Sequence, residues 1–363
     1  MFIHPAKSAL LVRLGLWIRR SLLQIADRIV PVQYALFERS IGLSETMMIS
    51  VVCEAQVPEL VSEGPISTRE LARLTQMNAD VMHRILRALS ARGIFHMMPG
   101  TEGLVSHSRL SRGLLNETAH ASHEWAQYFG SVGNVGAWAD LRTSLLDGRS
   151  AFDRVFGETV WEWFAKNPAA EENFAQSMMG VTRIQVPIIL DLYDFSQHTR
   201  LCDVGGGRGT LLSAILRSHL GLRAILCDGP GVLSSAESLL AAAGVRDRVE
   251  LIPGNFFKAV PEGADCYLLK NILHDWNDDV CIQILKTVYR AMQKGQTLVV
   301  IEQLIEPTQS NALASFSDIQ MLVACSDGRE RSSAEIDGLL KGAGFAESRT
   351  HFHPITCVIV AHK

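Results

Sequence analysis

The stretch from Leu201 to Asp228, LCDVGGGRGTLLSAILRSHLGLRAILCD, constrains the fold more than any other part of the chain. It opens with a short apolar run closed by Asp203 and Val204, which reads as a buried strand. Gly205, Gly206, Gly207, Arg208 and Gly209 follow, and Leu211, Leu212, Ile215 and Leu216 then recur at the spacing of one helix face. A second apolar run, Ala224 to Cys227, ends in Asp228. Strand, glycine turn, helix, strand and acid is the plan of a nucleotide-binding βαβ unit. The glycines permit a tight turn and a close backbone approach to a ligand. An acid ending the second strand can accept hydrogen bonds from both ribose hydroxyls.

The glycine pattern narrows the nucleotide. A dinucleotide fingerprint, G-x-G-x-x-G, needs a third glycine where this chain has Thr210. Its own pattern is Gly205-x-Gly207-x-Gly209, introduced by Asp203. A carboxylate before the loop suits a ligand carrying an ammonium group and repels a pyrophosphate. No Lys-Ser/Thr pair follows the loop, so a P-loop is excluded. The stretch therefore favours S-adenosylmethionine over NAD, with a purely structural glycine turn as the remaining alternative.

The rest of the composition sets bounds. At 363 residues, two domains with a large core are expected. A net charge of −4 gives no bulk reason to expect nucleic acid as a partner. The seven cysteines are scattered, odd in number and without a C-x-x-C pair, so neither a disulfide framework nor a zinc site is expected, and a cytoplasmic location follows. The apolar run from Leu10 to Val30 carries Arg13, Arg19, Arg20, Asp27 and Arg28, too many charges for a spanning helix. An apolar face packed on protein is expected there rather than one lying on a membrane.

Residues 1 to about 60 read as helical. Ser67-Thr-Arg-Glu70 is a capping-box pattern before Leu71 and Leu74. Asn78 and Asp80 start a helix with Met82, Ile85, Leu86 and Leu89 on one face, Gly93 stops it, and Ile94 to Met98 with Pro99-Gly100 reads as one strand of a hairpin. This is a winged-helix pattern. Arg84, Arg87 and Arg92 could touch phosphates, but the region lacks a dense basic stripe, so a homodimerisation domain is expected over a DNA-binding one. Residues 110 to 190 are helical and rich in large aromatics, a few of which could line a pocket for a flat substrate. From Asp191 strands and helices alternate, as a doubly wound parallel sheet requires. The expected division is 1–110, 111–190 as a helical connector contributing to a substrate pocket, and 191–363.

Ligands of such a sheet sit at the carboxyl ends of its strands. Those ends carry the glycine loop, Asp228, then Asn255, Phe256 and Phe257, then Lys270-Asn-Ile-Leu-His274-Asp275-Trp276, then Glu302; Glu330 precedes a capped helix at Ser333. His274 is the expected general base, since an unperturbed imidazole titrates at about 6.5 and stays largely neutral at cytosolic pH. Glu302 or Glu330 could hold its other ring nitrogen. The bland alternative is a histidine that caps the helix at Asp278.

The segments DVGGGRGTLL, GNFF, LKNILHDWNDD, IEQ and GRERSSAEIDGLLKGAGF resemble the S-adenosylmethionine-dependent O-methyltransferases of the plant caffeate and hydroxyindole type, with their bacterial members acting on aromatic polyketides and phenazines. The resemblance covers nearly the whole chain. It implies a Rossmann-like class I methyltransferase sheet behind a helical winged-helix dimerisation domain. It assigns His274, Glu302 and Glu330 to catalysis, and Gly205, Gly207, Asp228, Phe256 and Lys270 to the cofactor, to which the chain's own residues add Asp203 and Asn255. Met178, Trp125 and Asp275 are the expected substrate contacts. Departures are Gly229-Pro230 after Asp228, Asn255 in place of an acid, and a longer segment before Pro31. Asn255 is expected to offer its carbonyl to the adenine amino group.

The expected function is methyl transfer to a hydroxyl of a small aromatic natural product, with no metal, because no His/Asp/Glu cluster of ligand spacing is visible in the sequence. The rival readings are an N-methyltransferase of an aromatic heterocycle, a DNA-binding regulator built on the cofactor fold, and an NAD-dependent enzyme.

Overall fold

The computed structural model describes residues 9–100, 103–116, 122–307 and 311–363. The chain divides into two compact units. One comprises Leu16–Gly136 and Asn167–Val181; the other comprises the chain up to Gly15, Ala137–Lys166 and Thr182–Lys363. The stretch 111–190 thus contributes helices to both.

In the unit containing Leu16–Gly136, the winged-helix pattern is present. Ser67 Oγ accepts from Glu70 N at 3.1 Å and starts the helix Thr68–Leu74, but the Glu70 carboxylate turns to Arg73 instead of back to Ser67. The capping box is therefore one-sided. Asn78 caps the helix Ala79–Ala91, which buries Met82, Leu86 and Leu89. Gly93, with φ +75°, then admits the turn into a small antiparallel sheet. Its strands are β1 (Ile66–Ser67), β2 (Phe95–Met97) and β3 (Leu104–His107), in the order β1-β3-β2. Arg84 pairs with Asp80, and Arg92 with Glu38 and Glu45.

The first described helix, Ala9–Ile29, has Val12 as its one buried residue and exposes Leu14, Trp17, Leu22, Ile25 and Ile29. The exposed apolar series continues through Val32, Leu36 and Phe37 of the helix Val32–Ser40. Among the described residues no helix is long and apolar enough to cross a membrane.

The other unit is built on a seven-stranded sheet: β4 (Arg200–Val204), β5 (Arg223–Asp228), β6 (Val249–Pro253), β7 (Cys266–Lys270), β8 (Thr297–Glu302), β9 (Ser348–His351) and β10 (Cys357–His362). The spatial order is β6-β5-β4-β7-β8-β10-β9; the first five strands are parallel and β10 runs antiparallel to β8 and β9. The near-continuous apolar strands are buried on both faces. Cys202, Tyr267 and Val300 enter one core layer, and Leu201, Leu226 and Leu268 the other. β9 was not expected from the sequence, because Ser-Arg-Thr-His on a sheet edge shows no apolar run. The helix Asp278–Ala291 starts from an Asn277 cap, and Ser332 closes a complete capping box with Glu335 at the start of Ser333–Ala343. All seven cysteines are buried thiols.

Candidate active site

The loop after β4 turns through three left-handed glycines, Gly205, Gly207 and Gly209. A Cβ at Gly205 would lie 2.6 Å from Ile272 Cδ1 and 3.3 Å from Phe256 Cε1, whereas a Cβ at Gly207 would meet open space. Gly205 N donates to Cys227 O at 2.8 Å, tying the loop to β5. Asp228 holds the same loop: its Oδ2 accepts from Gly207 N at 2.8 Å and its Oδ1 from Gly229 N at 2.7 Å. Burial nevertheless raises its pKa. Each oxygen keeps a lone pair for a ribose hydroxyl.

Asp203 lies buried beneath the loop, and its Oδ2 has no hydrogen-bond partner among the described residues. Burial, reinforced by the Asp228 charge and opposed by Lys270, pushes its carboxyl up to about 7. Burial pulls the Lys270 ammonium down to about 8 against the attraction of Glu302 and Asp203. After β6, Asn255 Oδ1 accepts from Phe257 N at 3.0 Å. That oxygen closes an Asx turn and keeps one lone pair, and with the amide N–H₂ it leaves both an acceptor and donors on Asn255 for a ligand. Phe256, beside Gly205, begins an aromatic row that continues through Phe257 and Trp276 to Trp161.

β7 is followed by Asn271, held at φ +52°, a strained conformation for a side chain with a Cβ. The strain redirects the chain into the one-turn helix Leu273–Asp275. Glu302, at the end of β8, accepts from Ile272 N at 3.1 Å and Leu273 N at 2.9 Å through Oε1. His274 Nδ1 then stands 3.1 Å from Glu330 Oε1 and 3.6 Å from Glu302 Oε2, while Nε2 stands 3.6 Å from Asp275 Oδ1.

This environment overturns the expectation of a neutral imidazole. Burial alone would favour the neutral ring, but Glu302, Glu330 and Asp275 outweigh it and raise the pKa to about 10. In the carboxyls burial wins instead, pushing Glu302 up to about 7 and Asp275 up to about 6 against the pull of His274. The imidazole and the Glu302 and Asp275 carboxyls thus titrate as a coupled unit. The expectation that no ligand-like cluster exists is also corrected. One ligating atom each from His274, Glu302 and Glu330 lie within 4.8 Å of one another, a grouping that tertiary folding alone creates.

Sequence reasoning missed the parts that hold this turn in place. Arg331, almost fully buried, donates to Leu273 O at 2.7 Å and to Trp276 O at 2.6 Å, and pairs with Asp278. Arg329 N donates to His274 O at 2.8 Å. Gly328 leaves room for that approach, because a Cβ there would lie 2.8 Å from Cys325 Cβ and 2.9 Å from His274 O. Ser317 Oγ donates to Glu330 Oε1 at 2.6 Å, and Asp318 Oδ1 accepts from Glu330 N at 2.9 Å. The GRER segment signals Gly328 and Arg331; nothing local signals Ser317.

His274, Glu302, Glu330 and Asp275 therefore converge, and the expected cofactor residues line the carboxyl ends of β4 to β7 in the same unit. Trp125 and Met178 belong to the other unit, where Trp125 stacks on Phe129 at 5.0 Å and Met178 lies on the long helix Pro168–Leu192.

Comparison with known proteins decides the family. Residues 138–346 match the O-methyltransferase domain, and residues 38–117 match the O-methyltransferase dimerisation domain. The chain belongs to the O-methyltransferase family. Among relatives of this O-methyltransferase is the mitomycin biosynthesis 6-O-methyltransferase of Streptomyces lavendulae, 35% identical over 309 residues, which span 85% of this chain and 88% of that protein. The crystal structure of LaPhzM superposes with a TM-score of 0.87 at 32% identity, covering 92% of this chain and all but 1% of the other (99%). The O-methyltransferase NcsB1 from neocarzinostatin biosynthesis, solved with S-adenosylmethionine and 2-hydroxy-5-methyl naphthoic acid, gives a TM-score of 0.76 at 27% identity over 87% of this chain and 95% of that one.

Proposed function

We propose that this O-methyltransferase moves the methyl group of S-adenosylmethionine onto a hydroxyl of a small phenolic natural product, with His274 as general base. One observation carries the reading: a histidine whose Nδ1 faces two buried carboxylates, Glu330 and Glu302, at the carboxyl edge of a sheet that also bears a glycine loop and Asp228. The site fits the cofactor. Asp203 Oδ2 is a buried acceptor without a donor, suited to an ammonium group, and the space over Gly207 is open to a ligand.

When bound, S-adenosylmethionine supplies a methyl group made electrophilic by its sulfonium. Asp228 offers acceptors to the ribose, Phe256 a face to the adenine, and Asn255 an amide donor to its ring nitrogen. Glu330 and Glu302 keep a proton on His274 Nδ1, so Nε2 is the nitrogen that takes the acceptor's hydroxyl proton. Asp275 stands beside Nε2 and stabilises the imidazolium that forms. His274 Nε2 would have to give up its proton before acting as base, and a cation held at this edge would favour that loss by opposing the carboxylates. Positioning supplies most of the remaining rate.

We take the reaction to be metal-independent. Glu302 Oε1 already serves two backbone N–H groups and Glu330 Oε1 already serves Ser317, so a proton on His274 meets the cluster's charge; turnover is expected to be unchanged by EDTA, and its loss would overturn this reading. We also take the protein to be a homodimer formed through residues 38–117 and the exposed apolar helices before them, with no nucleic-acid or membrane partner. The pairing of Arg84 and Arg92 with acids weighs against a phosphate-binding face.

The first test is calorimetric titration with S-adenosylhomocysteine and NADH as control, followed by mass-spectrometric methyl transfer to small phenols. Binding of neither ligand would overturn the reading. Turnover of an aromatic amine that survives His274→Ala would move it to N-methylation.

A further inference from the structure

We infer that Ser317 and Asp318 are positioning residues that mount the Glu330 carboxylate against His274, so that the helix Ala312–Ala324 is the third arm of the catalytic cluster. The inference rests on the proposed role of His274 and extends it to a helix that the reaction chemistry does not touch.

The geometry is a two-point latch. Glu330 lies between Arg329 and Arg331 in an irregular segment, not in a helix or strand, so its own backbone does not fix its side chain. Asp318 Oδ1 accepts from Glu330 N at 2.9 Å and anchors the main chain. Ser317 Oγ donates to Glu330 Oε1 at 2.6 Å and anchors the side chain. The oxygen that Ser317 engages is the one 3.1 Å from His274 Nδ1. Glu330 Oε2 is buried with no hydrogen-bond partner among the described residues. A carboxylate can swing about its terminal torsion, which is broad and roughly two-fold. With Ser317 on one lone pair of Oε1, the other lone pair is left aimed at Nδ1. Without Ser317, either oxygen can take the imidazole and the ring loses a fixed partner.

The helix that carries the latch is itself braced. Trp138 Nε1 donates to Gln320 Oε1 at 2.8 Å, and Ser150 Oγ donates to Val323 O at 3.3 Å. Cys325, the next residue after the helix, reaches Asp275 Oδ1 through Sγ at 3.4 Å. One helix and the residue that follows it thus hold Glu330 and Asp275, the two carboxylates that flank His274 from its opposite nitrogens. Glu302, the third, is held separately by Ile272 N and Leu273 N.

The test uses the full-length protein labelled with ¹⁵N-histidine and saturated with S-adenosylhomocysteine, in the wild type, Ser317→Ala, Ser317→Thr and Asp318→Asn. The His274 ring signals are assigned by their loss in His274→Ala. In Ser317→Ala the Nδ1 signal is expected to shift and broaden while S-adenosylhomocysteine affinity stays within about twofold, since one hydrogen bond to a charged group far from the loop is lost. Ser317→Thr, which keeps the hydroxyl, restores the wild-type signal. For any phenol turned over by the wild type, kcat in Ser317→Ala falls about tenfold with KM little changed, the value of one charge-assisted hydrogen bond. An unchanged Nδ1 signal in Ser317→Ala overturns the latch, as does equal damage in Ser317→Thr. Because the spectrum needs no acceptor, a latch without turnover would count against the methyl-transfer reading and not against Ser317.

Discussion

His274 Nδ1 lies 3.1 Å from Glu330 Oε1 although 56 residues separate the two in sequence. That contact, together with Glu302 and Asp275, outweighs burial and holds the imidazole pKa near 10 in the ligand-free protein. A base that starts protonated must lose its proton before it can accept another. kcat/KM reports the free enzyme, so it is expected to climb with pH across the neutral range toward the His274 value of about 10. Glu330→Gln keeps an acceptor for Nδ1 but removes a charge. The imidazole pKa then falls, and the rising limb moves to lower pH with a reduced plateau. His274→Ala loses about a thousandfold in turnover, the upper range for a positioned base, and keeps its affinity for S-adenosylhomocysteine. A pH profile unmoved in Glu330→Gln would remove that carboxylate from control of the base.

Asp203 gives a second pH signature, in stability. Its carboxyl is raised to about 7 in the folded chain, above the ordinary aspartate value of 3.8. A raised pKa means that the fold prefers the protonated form. The contribution is fully present below 3.8, and it is lost as the pH rises through 7. Above neutrality the buried charge therefore costs stability, on the order of a few kcal/mol. Asp203→Asn removes the cost, so its melting temperature is expected to exceed the wild type's, by more at pH 8 than at pH 5. The same change is expected to weaken S-adenosylmethionine binding, because the orphaned acceptor is gone. Equal melting at both pH values would show that Asp203 is solvated and not buried charge.

Arg331 gives the third. Its guanidinium spans Leu273 O and Trp276 O, the two carbonyls that bracket His274 and Asp275, with 1% of its side chain exposed. Arg331→Ala leaves both carbonyls and Asp278 without this donor. The expected cost is about 3 kcal/mol in chemical denaturation, the usual result of breaking a buried charged hydrogen-bond set. Arg331→Lys should not restore turnover, since a point charge cannot bridge two carbonyls in a fixed fork. Full activity in the lysine variant would mean that the turn holds itself.

What the sequence could reveal about this molecule follows from how local each signal is. β4, the glycine loop and Asp228 are contiguous, and their spacing alone discloses a nucleotide-binding βαβ unit. The Ser332–Glu335 capping box is local as well and is present on both sides. Ser67 and Glu70 have the same spacing, but Arg73, one turn on, competes for the glutamate, so the pattern is only half realised. His274, Glu302 and Glu330 are legible as candidates because each follows a strand or precedes a cap. Their mutual distances are not, and so neither the ligand-like cluster nor the raised imidazole pKa could be foreseen. Both arise from three separate elements meeting in a water-poor interior. Ser317 and β9 carry no local signal: one is a serine within an apolar helix, the other a polar edge strand.

The helix Ala9–Ile29 leads to the last prediction. It precedes the dimerisation domain at 38–117, and Leu14, Trp17, Leu22, Ile25 and Ile29 are exposed along it, Trp17 at 64%. A helix this apolar with one buried residue is stable in water only if something covers it. The apolar series runs on through Val32, Leu36 and Phe37 toward the dimerisation domain, which makes a second copy of the chain the fitting cover. The double substitution Leu14→Glu with Trp17→Glu places two charges in that contact. Each costs more to bury than the apolar group it replaces. Light scattering after gel filtration is expected to show the wild type as a dimer and the variant shifted toward one chain, with the shift growing on dilution. S-adenosylhomocysteine binding should persist, since Leu14 and Trp17 are exposed and neither is among the residues assigned to the cofactor. A variant that stays fully dimeric would place the interface within 38–117 alone and leave this helix to some other surface.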